Sequence, residues 1–185
     1  VHPLRSLSSP YLIGEVMGGI VQYAQNLQAI VNSDAGSKVV DDFHNATDSI
    51  KVIAGIVEKQ QGAKPNKSRF DQLATPTGNL IAWIAGEYVA TVQISALRKA
   101  TTAADPLIGQ AATILKGAAV QETAGLRGDA NRAFDAAKDN YNANRKDRAA
   151  FDSYRAAAET YNATLQAKPA EVFTSMADAH QALTE

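Results

Sequence analysis

DANRAFDAAKDNYNANRKDRAAFDSYRAAAETYNATLQA, residues 129–167, decides the fold class. The stretch is rich in alanine and mixed charge. Its apolar markers are Phe134, Ala137 and Tyr141, then Phe151, Tyr154, Ala158, Tyr161 and Leu165. Within each group the spacings are three and four, the period of an amphipathic helix. Residues 142–150 carry few apolar markers and are expected to face solvent on most sides. Read as one unbroken helix, the stretch would be about 58 Å long, beyond an ordinary compact bundle. It must extend past its bundle, bend, or meet a partner, so 129–167 is read as a projecting helical arm.

Upstream, the same period recurs between helix-start signals. Asp105-Pro106 pairs a capping side chain with a proline suited to the first helical position. A helix is expected to follow through Leu107, Ile108, Ala111, Ile114, Leu115 and Ala118, with Gly125 to Gly128 either breaking it or tolerated inside it. Thr75-Pro76 repeats the signal and predicts the most apolar helix, running to about Ala104, with Arg98-Lys99 near its end. Residues 62–74 read mainly as a loop. Ser9-Pro10 opens a first helix carrying Tyr11, Leu12, Val16, Ile20, Tyr23, Leu27 and Ile30. The turn-forming residues 32–37 end it, and a second helix runs from about Lys38 to Gln61. Downstream, Lys168-Pro169 resets the chain before a short helix over about 170–183.

No stretch alternates with period two for long enough to predict a strand. The fold class is therefore all-α: an antiparallel helical bundle of four to six helices, with one long helix in the C-terminal half. Residues 1–185 are read as a single all-helical domain. Gly14 with Gly18, and Ala82 with Gly86 and Ala90, put small side chains on one helix face and predict close helix packing.

Composition removes several functional classes. Lys+Arg total 18 and Asp+Glu 19, which argues against binding nucleic acid by neutralising phosphates. Hydrophobic residues make up 45%, which excludes global disorder. The absence of cysteine removes disulfides, thiolate nucleophiles and zinc-thiolate sites. Val1 stands where methionine would start a chain, which fits either a removed signal peptide or an excised fragment; on the first reading a secreted or periplasmic location is expected. Asn45, Asn66 and Asn162 begin glycosylation triplets that matter only along a eukaryotic secretory route. Leu80 to Leu97 is nearly apolar, but Glu87 sits in its middle, which argues against a constitutive membrane span.

Three groups of residues are candidates for function. Asp41, His44 and Asp48 share one face of the second helix, and imidazole with carboxylates suits a first-row divalent metal. Glu15 and Glu87 could complete such a site from neighbouring helices, although no Glu-x-x-His motif is present. Tyr23, Trp83, Glu87 and Tyr88 could line an interhelical pocket for a small apolar ligand. Tyr141, Phe151, Tyr154, Tyr161 and Leu165 combine apolar area with hydroxyls and suit a protein interface, while packing inside the protein accounts for them with less effort. His180 lies near the C-terminus beside Asp178 without a recognisable catalytic setting. No phosphate-binding glycine loop, nucleophile elbow or calcium loop occurs, and no cofactor is expected.

These observations favour a non-enzymatic helical-bundle protein acting through protein–protein contacts or as an assembly component. Its expected partner is another protein or another copy of itself. The alternatives are a carrier of a small apolar ligand and a membrane-active bundle.

Overall fold

The computed structural model describes residues 10–60 and 89–184. Within them every regular element is a helix: α1 (Pro10–Asn32), α2 (Gly36–Gln60), α3 (Val89–Ala143), α4 (Arg148–Gln166) and α5 (Pro169–Ala182). The described residues fall into two compact units. One comprises the residues up to Leu115 together with those from Phe173 onward; the other is Lys116–Val172. The Ser9 cap, the 62–74 loop and the Thr75–Tyr88 part of the apolar helix lie outside the described residues.

The first unit is built on heptad-like spacing. Val16, Tyr23 and Ile30 of α1 are seven apart and buried. From α2 they meet Val39, Phe43, Ala46, Ile50, Ile53 and Val57, whose spacings alternate four and three. α3 adds Val92, Ala96, Ala100, Ala104, Ile108, Ala111 and Leu115 to the same core. Alanine dominates that α3 face, so little side-chain volume separates its backbone from its neighbours. Truncating a buried Ile such as Ile53 to Ala at such a site costs roughly 2–5 kcal/mol. Close packing of α1 on α2 is concentrated at Gly19, where a Cβ would lie 2.9 Å from Ile53 Cγ1. Gly14 and Gly18, expected to line a close contact, are instead exposed and have open space where a Cβ would stand. Both positions are two residues from buried Val16, which puts them about 160° around the helix from it.

The α1–α2 turn is tied by polar groups. The Ser33 hydroxyl donates to Asp42 Oδ2 at 2.6 Å, closing the loop between the helices. Gln93 of α3 donates its side-chain amide toward the carbonyls of Ile30 (3.1 Å), Val31 (3.0 Å) and Ser33 (2.6 Å). Helix ends leave such carbonyls without intrahelical partners, so Gln93 caps α1 from another helix. A glutamine in an otherwise apolar run thereby has a structural reason.

In α3 one expectation changes and one open alternative is decided. Pro106 starts no new helix and lies inside one that runs unbroken from Val89 to Ala143. Proline has no N–H, so the Thr102 carbonyl loses its bond from residue 106. Both Thr102 and Pro106 are exposed, so the interruption falls on the solvent side. Buried Ala100, Ala104, Ile108 and Ala111 hold the helix on either side of it. Gly125 and Gly128 are likewise carried inside the helix.

The 129–167 stretch is helical but not continuous. It turns at residues 144–147 and returns as α4. Asp147 caps the new helix, its carboxylate accepting from the Ala149 N–H at 2.9 Å. The long helix of the C-terminal half is therefore α3, and the second unit is a helical hairpin formed by the end of α3 and α4.

Candidate functional site

The hairpin joins the two aromatic sets read from the sequence. Phe134 stacks near Tyr161 (ring centroids 5.6 Å) and beside Tyr154 (5.5 Å). Tyr141 stacks on Tyr154 (5.6 Å) and tilts against Phe151 (5.6 Å). The rings alternate across the seam, each at the centroid separation where aromatic pairs attract. Between them sit Ala130, Ala137, Ala150 and Ala157, so large and small side chains alternate along each helix. At the far end, Arg127 donates to the Thr164 carbonyl at 3.3 Å, in the last turn of α4.

The five interface candidates thus divide. Tyr141, Tyr154 and Tyr161 are half-buried in the seam, as packing inside the protein requires. Phe151 and Leu165 are each 45% exposed. With half-buried Ala158 they form an apolar stripe at seven-residue spacing on one side of α4. Charged side chains border it, with Arg155 Nε donating to Glu159 Oε1 at 2.9 Å and Arg148 lying 3.9 Å from Asp152.

The metal candidates occupy exposed positions on α2, and Asp48 pairs with Lys51 at 2.7 Å. Among the described residues, no group of three or more His, Asp or Glu side chains is arranged to hold a metal ion. Of the pocket candidates, Trp83, Glu87 and Tyr88 lie outside the described residues. Tyr23 is a core residue, only 2% exposed. Among the described residues, no helix is long and apolar enough to cross a membrane.

Tyr23 belongs to a polar chain that sequence spacing does not reveal. Its hydroxyl lies 3.1 Å from His180 Nε2, and His180 Nδ1 lies 3.2 Å from Asp105 Oδ1. A carboxylate only accepts, so Nδ1 donates to Asp105; in the neutral ring Nε2 then accepts from the phenol. The Ala100 carbonyl is a second acceptor for that phenol, at 3.4 Å. Burial, and then the Asp105 charge, push the Tyr23 phenol above the ordinary tyrosine value. A phenol held protonated and buried is a poor nucleophile, so this Asp–His–Tyr chain is suited to fastening helices. It ties α5 to α1 and α3, and His180 is the buried residue of α5.

Comparison with models of known protein families, with curated proteins and with solved structures finds no match to this chain, so its site is argued from its residues alone.

Proposed function

We propose that this is a non-enzymatic helical-bundle protein that acts through protein–protein contacts, as an assembly component, using the exposed flank of α4 beside the seam. The supporting observation is the stripe of Phe151, Ala158 and Leu165, whose two large members remain 45% exposed although Phe151 already packs against Tyr141 at the edge of the seam. Aromatic and aliphatic side chains with a charged border match the usual layout of an interface centre and rim. The lack of cysteine, and of a metal-holding cluster among the described residues, is consistent with the non-enzymatic part of this reading.

The test is light scattering on the full chain at rising concentration, with a Phe151→Glu, Leu165→Glu double variant alongside. Association in the parent and its loss in the variant, with helical content unchanged, support the reading. Association that survives both charges removes the α4 face from it.

A further inference from the structure

We propose that α5 is a releasable latch. From Phe173 on it undocks from the first unit and returns while the α1–α2 core stays folded, with the Tyr23–His180–Asp105 chain as its catch. α5 holds that unit along one face, through Phe173, Met176 and His180 at spacings of three and four. Phe173 and Met176 are only partly buried against the core. The buried residue of α5 is the polar His180. Val172 and Leu183, the large apolar residues on either side of this grip, are mostly exposed and add little to it. By contrast, α1 and α2 are joined through Val16, Ile30, Ile50 and Ile53, each 1% exposed or less. An element with few buried apolar contacts opens locally, at a smaller free-energy cost than the core.

The catch can break without stranding what it leaves. Removing one partner of a buried polar pair ordinarily costs the full desolvation of the other. Here each member has a fallback. The Tyr23 hydroxyl stays with α1 and has the Ala100 carbonyl at 3.4 Å as a second acceptor. The Asp105 side chain is 41% exposed and already meets water. His180 leaves with α5 and is hydrated outside. The same chain fixes where α5 returns. Both ring nitrogens are satisfied only where α1 and α3 present Tyr23 and Asp105 together. A helix docked one turn out of place would bury the imidazole unpaired, which is costly.

Native-state hydrogen exchange of the full chain, read by mass spectrometry at low urea concentrations, tests the latch. The amides of residues 173–182 should exchange at least about tenfold faster than those of residues 16–30. Their rate should not change with low urea, because a local opening exposes little new surface. His180→Ala removes the catch and should speed α5 exchange several-fold, with residues 16–30 unchanged. Adding Tyr23→Phe to that variant should speed α5 no further, because the partner of the phenol is already gone. Equal protection and equal urea dependence of the two segments in the parent would mean that α5 leaves only with the core, which overturns the latch. Loss of protection in both segments together on His180→Ala would make His180 a part of the core and overturn it too. An α5 whose exchange ignores His180→Ala overturns the chain as its catch.

Discussion

A methyl group at Gly19 would meet Ile53 Cγ1 at 2.9 Å, near the root of that side chain, where little can swing away. Gly19→Ala should therefore destabilise the protein by roughly 1–3 kcal/mol through overpacking. Gly18→Ala, in open space on the same helix, should stabilise it by roughly 0.5–1 kcal/mol. Urea unfolding of the pair checks this, and equal effects would remove Gly19 as the point of close approach. Tyr23 gives a second residue-level expectation. The folded state holds the phenolic proton above the ordinary value of about 10, so the unfolded chain releases it first. The unfolded state then binds fewer protons, and stability falls as pH rises above about 10, by up to about 1.4 kcal/mol per unit. Tyr23→Phe should flatten that part of the slope, measured by unfolding between about pH 9 and 11. An unchanged slope would separate Tyr23 from the alkaline loss. The Tyr23–His180–Asp105 chain was not legible in the sequence, because its members lie 157 and 75 residues apart. Nothing local to His180 points to either partner.

At the scale of elements, α1 and α2 were readable almost to their ends. Proline stands at the start of α1, and residues 32–37 supply a run of turn formers between two strongly periodic stretches. Pro106 misled the reading because a local signal was overruled by the buried alanine face on both sides of it. Restoring the missing N–H with Pro106→Ala should stabilise α3, by at most about 3 kcal/mol, seen as a raised thermal midpoint. A lowered midpoint would mean that proline's restriction of the unfolded chain outweighs the lost bond. The α3–α4 turn was missed because residues 142–150 offered few apolar markers. A phase argument does contain it. Thirteen residues separate Tyr141 from Tyr154, so on one continuous helix they would stand about 140° apart. The two aromatic sets can share a seam only if the chain folds back. Asp147→Ala removes the cap of the returning helix and should cost about 1 kcal/mol. Calorimetry would show it, and no loss would make the cap incidental.

For the whole molecule, the all-helical class follows from three-four spacing through nearly every described segment, and five helices appear there. The interface candidates were found by chemistry but could not be sorted by it. Only the returning hairpin distinguishes the half-buried tyrosines from Phe151 and Leu165, which stay 45% exposed. Function then depends on what covers that stripe. The most direct measurement is light scattering after size-exclusion chromatography of the full chain across a concentration series. The account predicts a mass that rises above 19.6 kDa with concentration, and a Phe151→Glu, Leu165→Glu variant that stays at the lower mass. A parent chain that holds 19.6 kDa at every concentration would contradict it.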